Sequence, residues 1–164
     1  MLVEVFDRLL DFDSWATHEL LAACQPLTDA QLDQRFDIGH QSIRETWVHL
    51  VWNLHFWRSL MTGSAPPEEP MWGPVSIADL TRRYDDAFAA FAELTRRLRD
   101  ENRLDDIYVD HWEVKKSMVG TILQVIIHAS EHRMEITHML IRLGVDPVPE
   151  VDLGARDYEL LNLG

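Results

Sequence analysis

The chain has 164 residues, of which 28 are acidic and 15 basic, giving a formal net charge of −13 at pH 7. This length predicts a single domain spanning residues 1–164, and the charge, without a basic stripe, excludes a typical nucleic-acid-binding protein. The only cysteine, Cys24, excludes an intramolecular disulfide framework and a cysteine-rich zinc ribbon.

The first predicted helix covers about residues 3–24, where apolar residues approximate a helical stripe and Pro26 closes the segment. Its start, "MLVEVFDRLLDFDSW", lacks the basic region of a secretory signal peptide. No run of about 18 apolar residues predicts a membrane helix, so we expect a cytoplasmic protein without a membrane partner. Cys24 is interpreted as a small buried hydrophobe, with a catalytic thiol as the alternative. A short turn or half-helix should follow at residues 28–32.

The second predicted helix begins at the capping-box sequence "SIRE", with Ser42 as N-cap and Glu45 at the third helical position. It extends to about Met61, and its apolar residues surround most of its circumference, which is typical of a buried helix. A proline-rich, exposed loop should follow at residues 62–76. An amphipathic third helix then extends from Ser76 to about Asp100.

The stretch "LDDIYVDHWEVKK" alternates locally and predicts a short extended excursion. The fourth helix covers about residues 118–143 and is followed by Gly144 and Pro147, both typical of a helix end. The acidic tail after about residue 147 should pack loosely or contact a partner. Four long helices without a convincing strand predict an all-α four-helix bundle.

Two histidines in "IIHASEHRMEI" indicate a metal site. His128 and His132 are four positions apart, so they differ by 40° around a helix and can share a divalent metal at about 2.0–2.1 Å. His138 lies 240° beyond His132, so a third ligand should come from another helix. The same pair could also be a surface pair or a hydrogen-bonded pair in the core.

Polar rows interrupt two of the predicted buried helices, and buried polar rows require partners. The row on the second helix comprises Glu45, His49 and Asn53, and the row on the fourth comprises Gln124, His128, His132 and Glu135. Facing rows of this kind build metal sites in bundle cores, which favours His49 as the third ligand. The remaining histidines are interpreted as structural or exposed, namely His18, His40, His55, His111 and His138. Among these, His18 and His111 are the first exceptions to consider.

Residues 128–132 also match the motif H-x-x-E-H, which occurs in a class of zinc peptidase. Glu131 would then be the catalytic glutamate. Its direction on the helix differs from that of His132 by 100° and from that of His128 by 60°, so it flanks the site. The chain also lacks an evident strand that could hold a peptide. A peptidase is therefore only a remote alternative.

Three stretches resemble the DinB/YfiT-like superfamily of four-helix metalloproteins: "FDSWATHELLAACQPLTDAQLDQRF", "SIRETWVHLVWNLHFW" and "LQVIIHASEHRMEITHMLIRLGVDP". The resemblance covers about residues 1–147. It implies an up-down-down-up bundle, often a homodimer, with His49, His128 and His132 as the ligands of zinc or nickel and with water in open positions. Met134 and Glu135 depart from the family pattern, where glycine and glutamine are common.

The resemblance further implies a metal-dependent enzyme that uses a low-molecular-weight thiol, such as bacillithiol, on a small electrophile in an S-transferase type of reaction. The alternative is a non-catalytic metal-binding or stress-associated bundle. Trp52 and Phe56 follow His49 by one and two turns, and they could line a substrate pocket or belong to the core. An open coordination position and a pocket of a few hundred Å³ would distinguish the enzyme.

Overall fold

A computed structural model of the chain describes residues 2–68 and 74–162. Residues 69–73 of the predicted proline-rich loop and residues 163–164 of the tail lie outside the described residues. The elements, numbered in chain order, are α1 Leu2–Cys24, α2 Asp29–Leu32, α3 Ile43–Met61, α4 Ile77–Asp100, β1 Ile107–Val109, β2 Lys115–Ser117, α5 Met118–Arg142 and α6 Leu153–Asn162. The four long helices confirm the predicted all-α bundle.

Serine side chains cap the N-termini of three long helices, close to the predicted helix starts. The hydroxyls of Ser42 and Ser76 accept the backbone N–H of the residue three positions later, at 3.2 and 3.1 Å. Ser117 does the same at the start of α5. Such N-caps satisfy backbone donors that have no partner within the helix. Gly144, whose φ of 79° suits a residue without a side chain, ends α5.

The long helices run in the order up, down, down, up. Asp7 near the start of α1 pairs with Arg99 near the end of α4 at 2.9 Å, so these helices are antiparallel. Arg44 at the start of α3 donates to the carbonyl of Val75, which precedes α4, so α3 and α4 are parallel. Around the bundle α5 lies between α1 and α3, and this arrangement places His49 of α3 against His128 of α5.

The predicted extended excursion is an antiparallel hairpin of β1 and β2, with Ile107 opposite Ser117. The Tyr108 hydroxyl lies 2.7 Å from the Thr121 hydroxyl, which attaches the hairpin to the first turn of α5. The loop of the hairpin also contacts α3, because the His111 ring lies 5.2 Å from that of Phe56.

The core combines apolar side chains with one buried ion pair. Trp47, Phe91 and Ile136 are almost completely buried, and Cys24 is buried as predicted. Arg133 on α5 donates to the Asp13 carboxylate on α1 at 2.6 Å, with both side chains 2% exposed. A buried pair of this kind strongly penalises loss of either partner. It fixes α5 against α1 at the residue that follows His132.

The tail contains a helix, α6, which was not predicted from the sequence. This helix has no buried residue. It is held to α1 by Arg156, which donates two hydrogen bonds of 2.8 Å to the Asp11 carboxylate. None of the described helices combines the length and the apolarity that a membrane crossing requires.

Candidate metal centre

The three histidines predicted as ligands converge between α3 and α5. The Nε2 atom of His128 lies 3.0 Å from Nε2 of His49 and 3.1 Å from Nε2 of His132. His128 and His132 lie one turn apart on α5, and His49 faces them from α3. The helical angles indicated that these imidazoles could face one another, and the two short Nε2 contacts agree with that; the role of the three residues as metal ligands stays a prediction.

The donor set fits a divalent cation better than it fits a hydrogen-bond network. An imidazole Nε2 carries either one proton or one lone pair in the ring plane. His128 Nε2 can therefore satisfy only one of its two short contacts by hydrogen bonding. Imidazole nitrogens that bind one zinc ion at about 2.0–2.1 Å would be separated by about 3.0–3.4 Å, close to the observed spacing.

Glu135 orients His132 from the outer side of its ring. Its Oε2 atom lies 2.7 Å from His132 Nδ1, and its side chain is only 23% exposed. An Nδ1–H donated to a carboxylate leaves the Nε2 lone pair directed at the other imidazoles, an arrangement common among metal-binding histidines. Gly39 makes room for this carboxylate, because a Cβ at that position would collide with it. Met134, the other departure from the family pattern, is half exposed.

Glu131 does not occupy the position of a catalytic base. Its side chain is 69% exposed, and its nearest approach is 3.8 Å to His128 Nδ1. Nδ1 lies on the side of the ring away from Nε2, where the three histidines meet. This placement agrees with the helical angles and argues against the peptidase alternative.

Burial lowers the pKa of two of these imidazoles, His49 and His128. Burial, together with the neighbouring rings of His40, His132 and His128, lowers the pKa of His49 to about 3. Burial and the adjacent His132 also lower the pKa of His128. Desolvation disfavours the charged imidazolium. Both rings are therefore neutral at neutral pH, and each keeps one nitrogen lone pair that can bind a metal.

A fourth imidazole lies beside these three, and the sequence did not predict it. His40 stacks on His49 with ring centroids 3.9 Å apart, and its ring is 5.1 Å from that of His132. One ring nitrogen from each of His40, His49 and His132 lies within 4.8 Å of the others. His40 was interpreted as structural or exposed because it belongs to a loop, where helical periodicity gives no direction.

Aromatic side chains continue from the histidines along α3. The Trp52 ring lies 5.9 Å from that of His49, and Phe56 lies 4.8 Å from Trp52. Phe56 is buried, whereas Trp52 is half-buried and donates its Nε1–H to the Pro67 carbonyl at 3.3 Å. Trp52 therefore borders the site, while Phe56 also belongs to the packed interior.

A cleft of about 410 Å³ opens between α3, β2 and the first turns of α5, and none of the four clustered histidines is among its lining residues. Its lining residues are Trp57, Lys116, Ser117, Gly120, Thr121 and Gln124. Gln124 precedes His128 by one helical turn, or about 6 Å. The cleft is thus within reach of the imidazoles and large enough for a small molecule. Gln124 was among the residues predicted for the site, whereas Trp57 and Lys116 were not. Lys116 belongs to the hairpin, whose position the sequence could not predict.

The two remaining members of the α3 row serve other contacts. The Glu45 carboxylate pairs with Arg35 at 2.5 Å and is exposed. Asn53 is buried and borders a small interior cavity together with Asp13 and Tyr84. Both residues were candidates for support of the metal site, and the structure instead places Glu45 at the surface and Asn53 in the core.

The other histidines lie away from this cluster. His18 Nε2 contacts the Asp85 carboxylate at 2.7 Å. His111 packs against Trp112 with ring centroids 3.6 Å apart. His55 and His138 are exposed, as the helical angles predicted for His138.

Comparison with known protein families gave a match. Residues 13–136 match the family profile of the DinB superfamily. The chain belongs to the DinB superfamily. The matched range contains all four clustered histidines and stops before α6, so the DinB match coincides with the bundle that carries the site. A search of curated proteins found no match.

Proposed function

We propose that this DinB superfamily member is a metal-dependent enzyme that transfers the sulfur of a low-molecular-weight thiol to a small electrophile. His49, His128 and His132 would hold one divalent cation. The observation that carries the proposal is the convergence of their three Nε2 atoms, at 3.0 and 3.1 Å. A cleft of about 410 Å³, whose lining residue Gln124 precedes His128 by one helical turn, could admit a small molecule.

The donor chemistry favours particular metals. Neutral imidazoles suit zinc and nickel, whereas calcium and magnesium prefer oxygen ligands. Three protein ligands are typical of catalytic zinc sites, which keep a position for water or substrate. We therefore propose zinc first and nickel second.

The chain's own residues would position the reactants. A divalent cation bound there supplies Lewis acidity, which lowers the pKa of a coordinating thiol or water. The three imidazoles fix the position at which sulfur would lie. Glu135 holds the His132 ring by its bond to Nδ1. Trp52 and Trp57 provide apolar surface beside the site and the cleft, from which water can be displaced.

The proposed reaction balances without an oxidant or reductant. The S–H bond of the thiol breaks, and its proton passes to water. A sulfur–carbon bond then forms at the electrophile, and the leaving group departs with the electron pair of its former bond. Cys24 cannot supply the sulfur, because it is buried and burial raises its pKa to about 12. The thiol must therefore come from solution.

A second candidate is a non-catalytic metal-binding bundle. The specific observation that favours it is His40, which lies against His49 and could close the coordination sphere. Structural zinc sites are usually closed by four protein ligands, whereas catalytic sites are open. A protein of this kind would lose stability without metal but would not consume a thiol.

The test compares enzyme and binding protein directly. Zinc- or nickel-loaded protein is incubated with bacillithiol, glutathione or cysteine and with an electrophile such as monochlorobimane, and the conjugate is measured. We expect turnover with one of these thiols, and we expect His128→Ala to abolish it. His138→Ala is the matched control on the same helix and should leave the rate unchanged. Loaded protein that forms no conjugate with any thiol would favour the non-catalytic bundle.

We also propose that the protein acts in the cytoplasm as a homodimer. Support for a dimer comes from large apolar side chains that α5 leaves exposed, namely Leu123, Ile127, Met134 and Ile141. Exposed apolar stripes on a helix are typical of partner surfaces. Light scattering of the purified protein at micromolar concentration should give twice the mass of 19.1 kDa.

A further inference from the structure

The loop that carries His40 is shaped to hold the imidazole over the histidine cluster. Gly39 and Gln41, on either side of His40, both have positive φ angles, of 49° and 68°. A left-handed conformation is unfavourable for a residue such as glutamine and persists only where surrounding contacts enforce it. His40 is therefore held between two sharp changes of chain direction.

Hydrogen bonds close this loop on itself. The N–H of Phe36 donates to the Gln41 carbonyl at 2.7 Å, and the N–H of Gln41 donates to the Ile38 carbonyl at 2.8 Å. Arg35 bridges the Gln41 side chain and Glu45, each at 2.5 Å. The loop is thus tied to the first turn of α3, the helix that carries His49.

The position of His40 suits a ligand of the same cation. Its nitrogen lies within 4.8 Å of nitrogens of His49 and His132. Ligand atoms around one zinc ion at about 2.0–2.1 Å are separated by roughly 3.3 Å in tetrahedral geometry. The three nitrogens are thus at most about 1.5 Å farther apart than the ligands of one ion, a difference that small side-chain movements can close.

We propose that His40 is a fourth, displaceable imidazole ligand of the metal held by His49, His128 and His132. This inference rests on the proposed metal site and extends it. His40 would complete a four-nitrogen tetrahedral site in the resting protein. An anionic ligand such as a thiolate or azide would bind only by displacing His40. Displacement is easier for His40 than for the other three, because it belongs to a loop rather than to a packed helix.

Cobalt(II) is a suitable probe, because its visible absorption distinguishes tetrahedral from higher coordination. The metal-free full-length protein is titrated with cobalt(II), and the spectrum and dissociation constant are measured for wild type, His40→Ala, His40→Phe and His128→Ala. His40→Phe keeps an aromatic ring against His49 but offers no nitrogen. His138→Ala, an exposed residue on α5, is the control.

We expect wild type and His138→Ala to show the intense bands of tetrahedral cobalt. His40→Ala and His40→Phe should both lose much of this intensity, because more than one water can enter in place of the imidazole and raise the coordination number of cobalt. Their cobalt affinity should fall by at least the roughly 10- to 100-fold that loss of a partner outside the coordination sphere costs. Azide, titrated into the cobalt protein, should bind both variants more tightly than wild type.

Two results would overturn the role of His40. If His40→Phe retains the wild-type spectrum, cobalt affinity and azide affinity, His40 only stacks on His49. If both His40 variants match wild type, the loop histidine has no part in the site. In either case His128→Ala tests the three-histidine metal site separately from the role of His40. Weak cobalt binding by His128→Ala beside normal binding by wild type supports the three-histidine site, whereas equal binding refutes that site and His40 with it.

Discussion

Replacement of Glu135 tests whether the carboxylate behind His132 supports metal binding. The Glu135 Oε2 to His132 Nδ1 distance is 2.7 Å, and the two side chains are 23% and 9% exposed. The bond is thus charge-assisted and largely shielded from water. A charge-assisted hydrogen bond contributes about 1.5–3 kcal/mol, against about 0.5–1.5 kcal/mol for a neutral one.

These magnitudes give distinct expectations for two variants. Glu135→Gln keeps an acceptor but removes the charge, so it should lose about 1.4 kcal/mol, or about tenfold in zinc affinity. Glu135→Ala loses the whole bond and should bind zinc about 10- to 100-fold more weakly. The assay is competition for zinc between the protein and a chromophoric chelator at constant pH.

Glu131 supplies the matched control for this experiment. It lies on the same helix and near another of the histidines, but at 3.8 Å and 69% exposed. An exposed pair of this kind contributes at most about 1 kcal/mol. Glu131→Gln should therefore change zinc affinity less than about fivefold. Equal effects of Glu131→Gln and Glu135→Gln would refute the assignment of Glu135 as the residue that orients His132.

Three further predictions concern the bundle around the site. Arg133→Met should lower the free energy of unfolding by about 3–5 kcal/mol in urea titrations, because it strands the buried Asp13 carboxylate; the exposed Arg142→Met should lower it by less than about 1 kcal/mol, and equal losses would contradict the buried-pair account. In the folded, metal-free protein the pKa of His49 is about 3, so its ring stays neutral from about pH 6.5 down to about pH 3. In the unfolded chain the same histidine becomes protonated near pH 6.5. Stability should therefore fall as pH decreases from about 6.5 toward 3, and His49→Asn should flatten this slope; an unchanged slope would exclude His49 as its source. Cys24 should react with a thiol reagent only after unfolding, because burial holds its pKa near 12; rapid labelling of native protein would contradict its burial.

Helical periodicity predicted those parts of the molecule that depend on local sequence. The spacing of apolar residues and the serine caps gave the long helices, and a turn of 100° per residue placed His128 and His132 on one face. The same angle excluded His138. His49 was found because a polar residue on a buried helix needs a partner, and the partner proved to be the histidine pair of α5.

Features that depend on loops and on exposed contacts were not predictable in this way. The direction of His40 follows from positive φ angles at Gly39 and Gln41, and only the glycine suggested one of them. The helix α6 has no buried residue, so packing of an apolar face into the core does not account for its position. It depends instead on an ion pair between Arg156 and Asp11, which are far apart in sequence.

The central claim is that three histidines from two facing helices hold one divalent metal ion. Elemental analysis of tag-free protein, purified after growth with added zinc and nickel, tests it most directly when His49→Ala, His128→Ala and His132→Ala are analysed beside wild type. The account predicts about one zinc or nickel ion per wild-type chain and a large loss of metal in each variant that stays folded. Wild-type protein without stoichiometric metal, or folded variants that retain it, would contradict the account.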